Sequence, residues 1–136
     1  MAKKAEAYVD TSAFISFLDR SDSYHPLFLR LFADPPRLIT SPLVIAEGHA
    51  WFLRRYDASR ALEFLSFVEA LTPLQVVDVG SAQIREAARL LRKFSDQDLT
   101  VVDACGLHLM KALRLRSCWS TDRHLALTGV PLAIFR

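Results

Sequence analysis

Four acids stand where a chain would place them to hold a divalent metal. Asp10 closes the apolar run Ala7-Tyr8-Val9, and Glu47 lies in Ser41-Pro42-Leu43-Val44-Ile45-Ala46-Glu47. Asp103 follows Leu99-Thr100-Val101-Val102, and Asp122 ends Cys118-Trp119-Ser120-Thr121. A carboxylate in such apolar or helix-start sequence is costly unless something pairs with it. Four that converge require a cation, and that combination points to metal-assisted hydrolysis.

Each acid also has a plainer reading. Thr100-Val-Val-Asp103 fits a capping box with aspartate at its third position, and Asp122 fits a helix N-cap. Asp10 could bond the start of the helix that follows it. Glu47 resists such a reading, because no basic partner shares its helix face. Leu43, Ala46, Glu47 and Ala50 fall on one side by 3/4 spacing, so Glu47 is expected to point inward from an apolar face. Asp98 is read as a structural or outer-shell acid and Asp96 as solvent-facing.

The elements that must position these acids alternate strand and helix. Residues 6–10 read as a strand after a short basic lead, and Thr11-Ser12 opens a helix to Leu18. A second helix runs from about Ser23 to Phe32 and is broken by Asp34-Pro35-Pro36. Residues 37–40 form a strand. Ser41-Pro42 starts a helix to Arg55, with serine as N-cap and proline in the first turn. Another helix spans 57–71. Residues 74–79 read as a buried strand, Ser81 caps a helix to Lys93, and Thr100 caps a helix over 101–114. Residues 117–120 are a strand, 121–122 turn into a short helix, and 132–135 are a last strand. Such alternation with short connections predicts an α/β fold with a parallel sheet covered on both faces. Ligands of such sheets bind beyond the carboxyl ends of the strands, where Asp10 and Asp122 fall. Asp103 joins the same rim from the first turn of its helix.

At 136 residues and 51% hydrophobic, the chain fits one domain, 1–136, with a real core. No apolar stretch is long enough to span a membrane, and the start lacks the apolar centre of a signal peptide, so a cytoplasmic protein is expected. The net charge of +2 permits an RNA partner without demanding one. Basic residues fall in three clusters: Arg54, Arg55 and Arg60; Arg85, Arg89, Arg92 and Lys93; Lys111, Arg114 and Arg116. Singly, each reads as a solvated helix face. Cys105 and Cys118 form no Cys-x-x-Cys pair and are expected as thiols, Cys105 in the core. His25, His49, His108 and His124 form no zinc-type pair and are read as surface or packing residues. Trp119 is expected in the core, whereas Trp51 is placed either to stack a base or to pack.

With these residues in view, the chain resembles the PIN-domain ribonucleases, most closely the toxins of VapBC type II toxin–antitoxin pairs. Its motifs are Val9-Asp10-Thr11-Ser12-Ala13, Thr40-Ser41-Pro42-Leu43-Val44-Ile45-Ala46-Glu47, Asp98-Leu99-Thr100-Val101-Val102-Asp103-Ala104 and Ser120-Thr121-Asp122-Arg123-His124. Their order, spacing and total length make the match specific. The resemblance implies a three-layer Rossmann-like sheet of order 3-2-1-4-5 and a pocket in which Asp10, Glu47, Asp103 and Asp122 bind Mg²⁺ or Mn²⁺. It further implies cleavage of structured RNA, commonly at tRNA or ribosomal RNA loops, to give 5′-phosphate and 3′-hydroxyl ends. A homodimer held inactive by a cognate antitoxin is implied as well.

The roles expected on this reading are specific. Asp10 and Asp103 are direct ligands, and Asp122 helps hold that ion or a second one. Glu47 orders or deprotonates the attacking water. Thr11, Ser12 and Thr121 bond waters or carboxylates as outer-shell groups, as Asp98 would. Among rivals, a haloacid-dehalogenase-like phosphatase needs an aspartate where Ser12 stands. A receiver domain needs an acid pair after the first strand and a lysine after the fifth, and neither is evident. A PIN fold that binds RNA or a partner without cutting is the remaining alternative.

Overall fold

The sheet is short-stranded and almost wholly parallel, with Tyr8 and Val9 fully enclosed at its centre. The structure, a computed structural model, describes residues 6–135; the basic lead, residues 1–5, and Arg136 lie outside the described residues. In chain order the elements are β1 (Ala7–Val9), α1 (Thr11–Leu18), α2 (His25–Ala33), β2 (Leu38–Thr40), α3 (Pro42–Arg55), α4 (Ala58–Ala70), β3 (Leu74–Val76), α5 (Ser81–Lys93), α6 (Val101–Ala112) and β4 (Ser117–Trp119). Two 3₁₀ turns follow, Arg123–Ala126 and Ala133–Phe135.

Strand order is β3-β2-β1-β4, all neighbours parallel, with helices on both faces. β1 pairs with β4 in the register Ala7 to Ser117, Tyr8 to Cys118 and Val9 to Trp119. The order reverses between β1 and β4, which makes their carboxyl ends the switch point where such folds bind ligands. At the place of the fifth strand the chain makes a single parallel bridge, Leu132 to Cys118, and then coils into the 3₁₀ turn. This end buries Leu132 and Ala133 and leaves Phe135 exposed, so the strand expected over 132–135 reduces to one bridge. β3 also departs from expectation. It is an edge strand, bonded among the described residues only to β2, and Gln75 and Val76 are exposed rather than buried.

Aromatic side chains fill the core. Phe14 packs against Phe32, Phe64 and Phe67, and Trp119 meets Phe28 and Phe32 edge-on, in the core as expected. Such pairs add about 0.5–1.5 kcal/mol beyond the area they bury. α3 and α4 approach closely because position 48 is glycine: a Cβ there would collide with the Phe64 ring. α5 and α6 form a second helical layer around Ala87, Ala104 and Cys105. Asp57 and Thr100 cap α4 and α6 as their types predict, but the cap of α5 falls on Gly80, whose N–H donates to Gln83 Oε1. Both cysteines are buried and free, and burial pushes both thiols up.

Candidate functional site

The register of β1 and β4 builds the site's floor. Since Val9 pairs with Trp119, the next residues, Asp10 and Ser120, emerge side by side. Asp10 N–H donates to the Trp119 carbonyl, fixing the backbone, and Ser120 Oγ donates to Asp10 Oδ2 at 2.9 Å. Ser12, in the first turn of α1, lies 3.1 Å from the same oxygen and 3.1 Å from Ser120 Oγ. Thr121 N–H donates to Ser12 Oγ, and Asp122 N–H to Ser120 Oγ. Two serines thus tie both strand ends to one carboxylate. Residue patterns alone give Ser120 no role. Thr121 enters this network through its backbone, not its hydroxyl.

Asp103 does two jobs at once. Its Oδ2 accepts Thr100 N–H at 3.0 Å while its own N–H donates to Thr100 Oγ1, completing the capping box. That box orients the carboxylate at the rim, and among the described residues Oδ1 accepts no hydrogen bond. Asp122 is likewise a cap, accepting His124 N–H at 3.0 Å at the start of the Arg123–Ala126 turn. The plainer readings of both acids therefore hold together with their place in the site.

Asp10, Thr11, Ser12, Ile15, Glu47, Trp51, Thr100, Asp103 and Asp122 line one cleft of about 250 Å³. Glu47 reaches it from a different helix face than expected. The buried stripe of α3 is Val44, Gly48 and Phe52, while Ala46 is exposed and Glu47 half-buried. The glutamate is thus on the cleft wall at the flank of α3, where solvent reaches it. Trp51 forms part of that wall and packs edge-on against Phe52. Asp98 and Asp96 are exposed, and Asp98 lines no part of the cleft.

The electrostatics are those of a site built for positive charge. Asp10 is 5% exposed, and burial lifts its pKa to about 6, opposed by the Ser120 hydroxyl and reinforced by the charges of Asp103 and Glu47. Thr11 is buried, and its hydroxyl has no hydrogen-bond partner. The carboxylates of Asp103 and Asp122, with those of Asp10 and Glu47 lining the same cleft, are oxygen donors of the kind a hard divalent cation takes. One ligand atom each from Asp103, Asp122 and His124 lie within 4.8 Å of one another. The sequence predicts an ordinary surface or packing role for His124, and the structure instead brings its ring to the acids. Its place two positions after a capping aspartate is the available signal, because a tight turn folds such a side chain back over the cap.

The basic clusters divide. Arg60 spans Tyr56 and Phe52 and donates to the Leu18 carbonyl, and Arg55 lies over Tyr56, so both are engaged in packing. Arg89 and Lys93 of α5 meet Lys111 of α6 around a separate cleft of about 350 Å³ that also holds Phe94 and His108.

The sequence profile described as PIN domain matches residues 7–130. Ribonuclease VapC26 of Mycobacterium tuberculosis (strain ATCC 25618 / H37Rv) is 28% identical over 116 residues, 85% of each chain. The crystal structure of Mycobacterium tuberculosis VapC20, a Sarcin-Ricin loop cleaving toxin, matches with a TM-score of 0.83 at 22% identity, over 91% of this chain and 95% of that one. A toxin-antitoxin complex from Klebsiella pneumoniae matches at 0.63 and 17% identity, over 92% and 94%. At these identities the solved structures establish likeness of fold. All four cleft acids fall inside the matched segment.

Proposed function

This chain belongs to the PIN-domain family and is related to the VapC toxins, and from that premise we propose that it is a Mg²⁺- or Mn²⁺-dependent endoribonuclease. On this reading residues 1–136 are one PIN domain. It hydrolyses phosphodiester bonds in tRNA or ribosomal RNA loops, in the cytoplasm, as the toxin of a pair whose antitoxin restrains it. Among the described residues no helix is long and apolar enough to cross a membrane. The observation that carries the reading is the convergence of Asp10, Glu47, Asp103 and Asp122 on one cleft at the β1/β4 switch point.

Asp103 and Asp122, with Asp10 in the same cleft, would hold the cation. When bound, it would neutralise charge on the non-bridging phosphate oxygens. Asp10 would be ionised there, its serine bonds keeping Oδ2 turned toward Ser12 and Ser120. Glu47 takes a proton from the attacking water as the new phosphorus–oxygen bond forms. The bond from phosphorus to the 3′ oxygen breaks, and that oxygen takes a proton from solvent water. The ends are then 5′-phosphate and 3′-hydroxyl. Trp51 offers a stacking face beside the acids, and Arg89, Lys93 and Lys111 offer a basic track for the strand. Leu29 on α2 and Leu53 on α3, each 46% exposed, supply apolar surface for a homodimer.

The test is incubation of total RNA with antitoxin-free protein, with Mg²⁺ or Mn²⁺ against EDTA, alongside Asp10→Asn. Discrete fragments that need metal and vanish in the variant are expected. Folded protein that binds metal and RNA but cuts nothing would replace this reading with that of a silent binding module.

A further inference from the structure

We infer that His124 is a nitrogen ligand of the cation held by Asp103 and Asp122, and that this mixed oxygen–nitrogen set makes the chain prefer a transition-metal divalent ion to Mg²⁺. The inference rests on the reading of the cleft as a metal site and adds the identity of one ligand and the class of metal.

Three observations carry it. First, the Arg123–Ala126 turn begins with Asp122 accepting His124 N–H at 3.0 Å, and it folds the ring back so that Nδ1 also lies 3.0 Å from Asp122 Oδ1. Second, one ligand atom from each of Asp103, Asp122 and His124 lies within 4.8 Å of the other two, although Asp103 comes from α6 and the others from beyond β4. For metal–ligand bonds of about 2.1 Å, adjacent octahedral ligands stand roughly 3.0 Å apart and opposite ones roughly 4.2 Å. The His124–Asp122 separation of 3.0 Å is that of an adjacent pair, and the 4.8 Å bound on the cluster is a little wider than an opposite pair, so a bound ion would draw the three ligands slightly inward. Third, the ring is half-buried, and the adjoining cleft is lined by Thr11, whose buried hydroxyl has no hydrogen-bond partner.

A histidine–aspartate approach of 3.0 Å is also the length of a hydrogen bond, so imidazole could instead only steady Asp122. The two roles differ in chemistry. A hydrogen-bonded ring tunes a carboxylate for any cation. A coordinating ring adds a donor that suits the later first-row ions, while Mg²⁺ keeps to oxygen and water.

The decisive experiment is pulsed electron paramagnetic resonance on the metal-free protein loaded with one equivalent of Mn²⁺. Modulation from a directly bonded ¹⁴N is expected in the natural chain and is lost in His124→Gln. In parallel, calorimetry should show Co²⁺ affinity falling about tenfold or more in His124→Gln, with Mg²⁺ affinity changing less than about twofold. Circular dichroism checks that the variant is folded. Bound Mn²⁺ with the same spectrum in both proteins would overturn the inference and leave the metal site standing, as would equal losses for Co²⁺ and Mg²⁺. No divalent binding by the natural chain would overturn the inference and the metal reading together.

Discussion

Ser120 donates its one hydroxyl proton to Asp10 across the β1/β4 boundary, and its oxygen receives the Asp122 N–H, so a single side chain sets the positions of two acids. Ser120→Ala should leave the sheet intact, at a cost of about 1–2 kcal/mol, because a buried acceptor loses one of its donors. Cation affinity or cleavage should fall about 10- to 100-fold, the usual effect of removing a group that orients a ligand. Thermal melts with and without metal separate the two effects.

Asp10 gives a pH prediction of definite sign. Its folded pKa of about 6 lies above the ordinary 3.8, so the folded state binds more protons between those values. Metal-free protein should therefore lose stability as pH rises from about 4 to about 6, then level off. Asp10→Asn keeps an acceptor for Ser120 but carries no charge. In EDTA at pH 7.5 it should be more stable than the natural chain, by at most about 3 kcal/mol. The gain should vanish below about pH 4, and cleavage should be lost at every pH. A pH series of melting temperatures for the two proteins checks this.

Glu47→Gln should separate binding from chemistry. The residue stands on the cleft wall, apart from the Asp103, Asp122 and His124 cluster. Metal affinity should stay near that of the natural chain while cleavage drops by about 100-fold or more. Parallel losses of both, by calorimetry and RNA assay, would make Glu47 a ligand rather than a base.

Charge reversal at Lys93 and Lys111 probes the basic cleft between α5 and α6. In an Asp10→Asn background, RNA binding should weaken. Its salt dependence should flatten by about 0.7 in the log–log slope for each phosphate no longer neutralised, as for a single strand. Unchanged slopes would remove this face from the RNA path.

Gly48→Ala should destabilise the fold by about 1–3 kcal/mol, since the new methyl meets the Phe64 ring where α3 crosses α4. Denaturant midpoints measure it.

Much of this arrangement was legible in the residues, for local reasons. Asp10 ends an apolar run, Thr100 and Asp103 carry a capping pattern, and Asp122 precedes a turn, so each position follows from its neighbours. The features that were not legible depend on pairing between distant segments. Ser120 matters only because β4 sits in the register that sets it beside Asp10, and no local pattern fixes a parallel register. β3 has the composition of an interior strand, and only sheet order makes it an edge. On α3, two apolar stripes compete, and the small Gly48 selects the one that lets α4 come close. That choice turns Glu47 from the core toward the cleft.

Asp103 serves two masters, one oxygen closing the first turn of α6 while the residue also lines the cleft. An asparagine there could still accept the Thr100 N–H while offering far less to a cation. On the proposed reading, one substitution would then disarm the protein without disturbing its shape, and every surface by which it meets other molecules would persist. Such a disarmed copy would compete for the same partners as an armed one, so loss of chemistry in this architecture need not mean loss of influence.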